Sequence, residues 1–268
     1  SADIQAAVQR SMISKAFDNG TICASEQSVV TEQVIADKVE EELRRQGAYF
    51  LSEEESQKLG GFLLRDNGTM NPGIVGKTAA WIADMAGIRV SPGTKLLVSR
   101  QDADAVNKKN PYAREKLCPV LAYYAVPSEE EACELCIRIL ENEGCGHTMT
   151  LHTKNEAAVE RFALQKPVSR ILVNTPGALG GVGATTGLAP ALTLGCGAVG
   201  GSATSDNITP MNLINIRRVA FGLREFGDLK EPDCRNRNQK ESDSLCKEDI
   251  EAITRAVLEK MSHMKDRA

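Results

Sequence analysis

Apolar residues recur along the chain with two periods, one typical of helices and one typical of strands. The helical period of three to four residues covers 3–16, 34–46, 52–64, 77–86, 128–143 and 155–164. Short runs rich in β-branched or other apolar residues cover 28–31, 95–99, 119–126, 147–152, 170–174 and 212–220. Because strands that alternate with helices of this length form βαβ units, we predict an α/β fold with an open, mainly parallel twisted sheet flanked by helices.

Two local rules add detail to this prediction. Ser52 and Glu55 form a capping box, in which each side chain satisfies a free backbone N–H at a helix start, so we expect the helix over 52–64 to begin there. Ligands of open parallel sheets bind at the carboxyl ends of the strands. We therefore expect the functional loops to follow strands.

Residues 175–207 differ from the rest of the chain, because they hold many glycines, few charges and few long side chains. A flexible linker would have this glycine content, but the apolar run 188–194 does not suit a solvated coil. We therefore expect the glycines to let the backbone approach a ligand closely. The segment is not a nucleotide-binding P-loop, since no Gly-Lys-Ser/Thr closes it.

The domain pattern changes near residue 222. The main domain is predicted over 1–222, and the charged residues 223–246, which include proline and asparagine, indicate a polar linker. A short helix is predicted after this linker. Such a helix on a polar tether either docks on a partner or packs against its own domain, and docking is the favoured interpretation. The helix is predicted over 247–264, with an apolar face made by Ile250, Ile253, Val257, Leu258 and Met261.

Composition limits the partners of the protein. The 268 residues carry a formal net charge of -4 and 4% aromatic residues, which gives no basis for binding nucleic acid or an anionic membrane surface. No apolar run is long enough to cross a bilayer. The helical pattern begins at Ile4, directly after the first residues, as we expect of a chain cut from a longer protein.

Eight cysteines occur, at positions 23, 118, 133, 136, 145, 196, 234 and 246. Without a secretory signal, we expect reduced thiols rather than a disulfide framework. Cys133 and Cys136 are the close pair, and both fall on the apolar stripe of the helix predicted over 128–143. Because no second Cys-x-x-Cys and no nearby histidine accompany them, core packing is favoured over a zinc site.

Cys23 differs from the other cysteines in its surroundings. It lies in a loop of small and polar residues, 18–27, where Asn19, Gly20 and Thr21 offer backbone N–H groups and little bulk. A nucleophilic thiolate needs such donors and open space in front of it. The loop is compatible with a catalytic cysteine, and a small buried core residue is the alternative.

Six short motifs occur in order along residues 1 to about 222. They are FDNGTICASEQS at 17–28, NPGIVGK at 71–77, EKLCPV at 115–120, GHT at 146–148, LTLGCG at 192–197 and NLINIR at 212–217. Together they resemble the CoA-acylating branch of the aldehyde dehydrogenase superfamily, most closely the acetaldehyde and propionaldehyde dehydrogenases of bacterial microcompartments. The resemblance implies the catalytic domain of an enzyme that converts an aldehyde, coenzyme A and NAD into an acyl-CoA and NADH.

The resemblance assigns Cys23 as the nucleophile. Its thiolate would add to the aldehyde, the thiohemiacetal would pass hydride to NAD, and coenzyme A would take the acyl group from the resulting thioester. The backbone N–H of Cys23 would be one oxyanion donor. In the family the second donor is an asparagine of the amino-terminal half, which this chain does not contain.

Further site residues are implied by the same resemblance. Glu115 would bind the nicotinamide ribose, and its alternative is a solvated charge at a strand start. His147 would assist proton transfer from coenzyme A or the thiohemiacetal, and a structural strand-end histidine is an equal alternative. Cys196 itself is favoured as a packing residue in the wall of the site, and no metal site is predicted. The cofactor-binding set implied is Thr21, Glu115, Pro119, Gly195 and Cys196.

The chain departs from the family in one large respect, because the amino-terminal half that carries most of the NAD site is absent. We therefore expect the 268-residue chain to fold but to have little or no dehydrogenase activity alone. A hydrolytic aldehyde dehydrogenase domain is one alternative function. A non-catalytic docking or scaffold module is the other.

The resemblance also implies partners and a location. Residues 247–264 look like an encapsulation peptide, the tethered helix by which microcompartment enzymes dock to shell proteins. A shell protein is therefore the expected partner, and the microcompartment lumen within the bacterial cytoplasm is the expected location. Family members pair subunits through strands and hairpins, so the predicted strand 212–220 would return toward the oligomerisation and cofactor side of a homo-oligomer.

Overall fold

Residues 2–225 are described by the computed structural model, and within them seven α-helices and six strands alternate along most of the chain. The helices are α1 (Ile4–Ala16), α2 (Gln33–Arg45), α3 (Glu53–Leu63), α4 (Ala79–Met85), α5 (Glu129–Asn142), α6 (Glu156–Gln165) and α7 (Gly177–Gly181). The strands are β1 (Ser28–Glu32), β2 (Ala48–Phe50), β3 (Leu96–Arg100), β4 (Val120–Val126), β5 (Gly146–Leu151) and β6 (Val168–Val173). The linker beyond 225 and the helix predicted over 247–264 lie outside the described residues.

All pairings between these strands are parallel. The strands β1, β4, β3 and β2 form a four-stranded sheet in that order, in which Val30 lies opposite Tyr124. The strands β5 and β6 form a second sheet, in which Thr148 lies opposite Arg170. The predicted parallel α/β architecture is confirmed, although its strands are divided between two sheets.

The side chains of β4 alternate between two apolar layers, because successive residues of a strand point to opposite faces. Val120 and Tyr124 pack with residues of α3, α4 and α5. Leu121 and Tyr123 pack with residues of α1 and α2. The four-stranded sheet is therefore the middle layer of a three-layer α/β/α arrangement.

The predicted capping box at the start of α3 is confirmed. Ser52 Oγ accepts a hydrogen bond from the Glu55 N–H at 3.2 Å, and Glu55 Oε2 accepts one from the Ser52 N–H at 2.9 Å. An N-cap of this kind stabilises a helix by about 1 kcal/mol.

Two strand assignments differ from the sequence pattern. The strand β2 is not predicted, because its three residues are too few for a period to be recognised. The strand predicted over 212–220 does not form within the described chain: Asn212 ends a 3₁₀ turn that begins at Pro210, and 213–225 forms no strand. Its pairing with another subunit stays a prediction. A strand needs a partner for its backbone N–H and C=O groups, and no described strand pairs with this segment.

Residues 2–214 belong to one compact unit, and a second unit begins at residue 215. In the second unit, the described residues 215–225 are exposed and form no helix or strand. Within the described part of the chain, no helix has both the length and the apolar character that a membrane crossing requires.

Candidate active site

Cys23 follows a turn made by three consecutive residues with left-handed backbone. After α1 the chain passes through a short 3₁₀ segment in which Asp18, Asn19 and Gly20 have φ angles of 47°, 50° and 75°. Glycine adopts such angles at little cost, and Asn and Asp tolerate them better than other residues. This turn ends α1 and leads to Cys23, whose side chain is half-buried.

The segment 115–120 holds this turn in place. A Cβ on Gly20 would lie 2.7 Å from the carbonyl oxygen of Cys118, so only glycine fits between the two backbones. Asn19 Nδ2 donates to the carbonyl oxygen of Gly76 at 3.0 Å, and the Gly76 N–H donates to the carbonyl of Leu117 at 3.3 Å. The motifs at 17–28, 71–77 and 115–120 are therefore joined in one region.

The Cys23 sulfur is subject to opposing influences. Burial is the largest, and together with the negative charge of Glu115 it raises the pKa of the Cys23 thiol. Hydrogen bonds from the backbone N–H groups of Ala24 and Cys23 favour the thiolate and partly offset this rise. The sulfur is therefore mostly protonated near neutral pH, with two donors already in reach of it.

The negative charge of Glu115 acts on Cys23, so these two predicted residues lie within electrostatic range of each other. Burial raises the pKa of the Glu115 carboxyl, and the neighbouring Glu143 raises it further. The Glu115 N–H donates to Glu143 Oε1 at 3.2 Å, which fixes the backbone there. A half-buried carboxyl of this kind differs from the fully solvated charge that is the alternative interpretation.

Two buried lysines lie beside the same region, and nothing in the sequence pattern indicates them, because lysines are usually solvated. Lys15 is 0% exposed and Lys116 is 2% exposed. Gln27 joins them, since its Oε1 accepts from Lys15 Nζ at 3.2 Å and from the backbone N–H of Lys116 at 3.1 Å. Burial lowers the pKa of Lys15 to about 8 and that of Lys116 to about 7.

His147 lies near the start of β5, and its side chain is half-buried. Its Nδ1 is 3.0 Å from the hydroxyl of Thr148. Burial lowers the pKa of His147, and the positive charge of Arg170 on β6 lowers it further. The neutral imidazole is therefore favoured, and a neutral imidazole can accept a proton.

Arg170 organises the turn that contains Gly195, and the sequence pattern gives no sign of this role. Its side chain is buried, with Nε donating to Asn207 Oδ1 at 3.0 Å. Its Nη2 donates to the carbonyl oxygens of Gly195 at 2.6 Å and Ser205 at 3.0 Å. These bonds fix the Gly-rich segment against the β5–β6 sheet.

The charge of Arg170 also connects the predicted catalytic residues. Burial lowers the pKa of Arg170, whereas the thiols of Cys196 and Cys23 act to raise it. Both cysteines and His147 are therefore within electrostatic range of one guanidinium. This is the observation that places His147 in the same region as Cys23.

The glycines of 175–207 approach protein atoms closely. A Cβ on Gly177 would lie 2.8 Å from both the Ala24 carbonyl oxygen and Glu26 Oε1, and one on Gly200 would lie 2.5 Å from Cys196 Cβ. Close protein contacts therefore account for glycine at these positions, and a close approach to a ligand stays a prediction. They are explained by the packing of the segment against the rest of the domain.

The Cys23 turn and Glu115 lie at the amino ends of β1 and β4, because each leads into its strand. This differs from the expectation that functional loops follow strands. The carboxyl end of β6, in the second sheet, contacts the loop that carries Cys23. Gly177 follows β6, and its N–H donates to Oε1 of Glu26 in that loop at 3.0 Å. The candidate site is thus formed where the two sheets meet.

The other predicted cofactor-binding residues lie around this region. Thr21 Oγ1 donates to Asp18 Oδ2 at 2.7 Å. Pro119 is buried, and its carbonyl oxygen accepts from the Leu97 N–H at 2.9 Å. Cys196 is half-buried beside the Arg170 guanidinium. Their contacts with a cofactor remain predictions.

The pair Cys133 and Cys136 lies on α5, where Cys133 is buried and Cys136 is half-buried. All six cysteines in the described part of the chain are free. Between residues 2 and 225, no group of three or more His, Cys, Asp or Glu side chains is placed to hold a metal ion.

The chain has relatives among characterised enzymes, although no protein-family model matches it. The bifunctional aldehyde-alcohol dehydrogenase AdhE of Escherichia coli (strain K12) is 42% identical over 224 residues, which make up 82% of this chain and 25% of that protein.

Solved structures match over a similar part of the chain. A probable aldehyde dehydrogenase from Listeria monocytogenes EGD-e is 56% identical with a TM-score of 0.81, covering 86% of this chain and 50% of that one. An acetylating aldehyde dehydrogenase from Geobacillus thermoglucosidasius is 49% identical with a TM-score of 0.80, covering 84% and 49%. A propionaldehyde dehydrogenase from the Clostridium phytofermentans fucose utilisation bacterial microcompartment, 24% identical with a TM-score of 0.68, covers 76% and 45% and shares the fold. The chain thus spans about half the length of these structures and about a quarter of AdhE.

Proposed function

Because this chain is homologous to part of the CoA-acylating aldehyde dehydrogenases, we propose that it is the catalytic domain of such an enzyme. The reaction proposed for the whole enzyme joins a small aldehyde to coenzyme A, with NAD reduced to NADH. The observation that carries the proposal is the Cys23 turn: a half-buried thiol that follows three residues of left-handed backbone, with the Glu115 charge within electrostatic range of its sulfur.

The residues of this site have defined parts in the proposed reaction. The Cys23 thiolate attacks the aldehyde carbonyl carbon, and the Cys23 N–H stabilises the negative charge that develops on oxygen. NAD, when bound, supplies the hydride acceptor. Glu115 fits the ribose of that cofactor, because a half-buried carboxyl offers acceptor oxygens to paired hydroxyl donors.

The second half of the reaction requires a thiolate from coenzyme A. His147 is the proposed base for that thiol, since burial and Arg170 favour its neutral imidazole. The thiolate then attacks the thioester on Cys23 and releases the acyl-CoA. Arg170 donates a hydrogen bond to the carbonyl oxygen of Gly195. In this proposal the Gly195–Cys196 turn forms one wall of the site.

Acyl transfer to Cys23 tests the proposal without NAD. The chain is incubated with acetyl-CoA or propionyl-CoA and with the matching short thioester of N-acetylcysteamine, and peptides are analysed by mass spectrometry. We expect the acyl group on Cys23 and its complete loss in Cys23→Ala. Acylation spread evenly over the cysteines, or none on Cys23, contradicts the proposal. The 268-residue chain alone is expected to form little or no NADH from aldehyde, so appreciable NAD-dependent acyl-CoA formation by it contradicts the proposed division of the site.

We further propose that residues 247–264 are an encapsulation peptide that binds a microcompartment shell protein in the lumen, and that the whole enzyme is a homo-oligomer. The support is the amphipathic pattern behind a polar linker, together with the microcompartment source of one protein that shares the fold. Deletion of 245–268 should leave thermal unfolding of the domain unchanged and abolish co-purification with shells. Equal co-purification of the shortened chain contradicts this role.

A further inference from the structure

A lysine and a cysteine make a buried contact on elements that do not carry the candidate active site. Lys166 Nζ lies 2.5 Å from Cys133 Sγ. Cys133 is on α5, and Lys166 is the C-cap of α6. Both residues are buried, with exposed fractions of 7% for Cys133 and 6% for Lys166.

The separation of the two atoms is too short for an ordinary hydrogen bond. N–H···O hydrogen bonds span about 2.7–3.2 Å, and a bond to sulfur should be longer because sulfur is the larger atom. The nitrogen and sulfur of an ammonium–thiolate pair also cannot come closer than this hydrogen-bond distance. Two atoms that share one bonded neighbour do lie this close, because two covalent bonds and the angle between them set their distance.

The surroundings of the pair favour a reaction between them. Gln165 Oε1 lies 3.0 Å from Cys133 Sγ and accepts the thiol hydrogen, which orients the sulfur. The Phe162 ring centroid lies 4.2 Å from Lys166 Nζ and covers the amine. A buried ammonium is costly even over an aromatic ring, so conversion of the pair into an uncharged group removes that cost.

We propose that Cys133 and Lys166 form a covalent S–O–N link when the reduced chain is exposed to dioxygen. The lysine first gives one proton to solvent and becomes a neutral amine. The S–H bond and one N–H bond then break, and S–O and O–N bonds form around one oxygen atom. The second oxygen atom leaves as water with the two hydrogens, and sulfur and nitrogen together supply the four electrons that reduce dioxygen.

The link joins parts of the fold that are otherwise connected only by packing and loops. The helix α5 packs against β1 and β4 of the four-stranded sheet. Lys166 leads directly into β6 of the second sheet. The link is therefore a redox-dependent tie between the two sheets, and it does not involve Cys23.

The test is peptide mapping of the whole chain, purified in reductant and then exposed to dioxygen-saturated buffer. A glutamate-specific protease suits the site, because Cys133 lies between Glu131 and Glu134 and Lys166 lies beyond Glu160. We expect a linked peptide pair that is heavier by one oxygen and lighter by two hydrogens than its separate parts, and that dithiothreitol splits.

Matched variants identify the atoms. The linked pair should be lost completely in Cys133→Ser and in Lys166→Arg, and it should persist in Cys136→Ser, which removes the thiol one turn further along α5. Circular dichroism checks that each variant folds. The search for the linked peptide pair in the wild-type chain tests the proposal even if a variant does not fold. Separate unmodified peptides after exposure overturn the proposal. So does Cys133 found as a sulfenic or sulfinic acid or in a disulfide with Cys136, with Lys166 unchanged.

Discussion

At the scale of single residues, the reactivity of Cys23 depends on a balance between burial, two backbone donors and one carboxyl. Burial and Glu115 raise the pKa of the thiol, and the N–H groups of Ala24 and Cys23 act against them. The Glu115 charge is the part of this balance that a substitution can remove without altering the turn. Its effect also reports whether Glu115 lies beside the nucleophile, as the proposed cofactor site requires.

Glu115→Gln should make Cys23 alkylation by iodoacetamide several-fold faster at about pH 7.5. The lost negative charge lowers the pKa of the thiol, so the rate–pH profile should move to lower pH while its plateau changes little. The rate is measured by mass spectrometry of the Cys23 peptide. Glu160→Gln, which changes an exposed carboxyl on α6, is the control and should leave the profile unchanged. An unshifted profile in Glu115→Gln would show that the two groups are not neighbours.

At the scale of elements, glycines decide how closely segments approach. Gly146 begins β5 with a φ of 79°, and a Cβ there would collide with the Cys196 carbonyl oxygen and lie 2.6 Å from the Gly200 nitrogen. A Cβ on Gly61 in α3 would have no neighbouring atom within 4 Å. The same substitution should therefore have opposite effects at the two positions.

Gly146→Ala should lower the free energy of unfolding by about 2 kcal/mol or more, because left-handed backbone and overpacking act together. Gly61→Ala should raise it by about 0.5–1 kcal/mol, since alanine is the better helix former. Chemical denaturation of the wild type and both variants measures the two changes in the free energy of unfolding. Equal effects in the two variants would mean that the contact between β5 and the Cys196 turn is not formed as described.

The order and type of most elements follow from the apolar periods and caps, as the confirmed start of α3 at Ser52 shows. The register and pairing of the strands do not follow from these local signals. The three residues of β2 have no readable period, and the apolar alternation over 212–220 looks like a strand although no described strand pairs with it. Whether a strand forms depends on a partner that lies far away in the sequence.

At the scale of the whole molecule, the candidate site includes buried charges that the sequence could not indicate. Arg170, Lys15 and Lys116 look like ordinary surface cations along the chain, because burial depends on tertiary contacts. The Cys23 motif is recognisable in the sequence, whereas the cations around it are not. The lowered pKa of Lys116 gives them a measurable effect on stability.

The wild-type chain should become more stable, relative to Lys116→Met, as pH rises from about 7 toward 10.5. Because its pKa is lowered on folding, Lys116 loses its proton first in the folded state, so the unfolded state binds more protons in this window. The slope per group is at most about 1.4 kcal/mol per pH unit. Unfolding by urea at several pH values measures it, and Lys38→Met, an exposed lysine on α2, should follow the wild type. If the free energy of unfolding of Lys116→Met changed with pH in the same way as that of the wild type, Lys116 would have to be solvated.

The central claim is that Cys23 is the nucleophile of this domain, and competitive labelling of all cysteines tests it most directly. The native chain is treated with limiting iodoacetamide or an aldehyde-mimicking electrophile, and the labelled fraction of each cysteine peptide is followed with time. We predict that Cys23 is labelled faster than the other seven cysteines at about pH 8 and above, where its thiolate fraction rises. A native chain in which Cys23 reacts no faster than the other cysteines would contradict the account and favour a docking module with an inert cysteine.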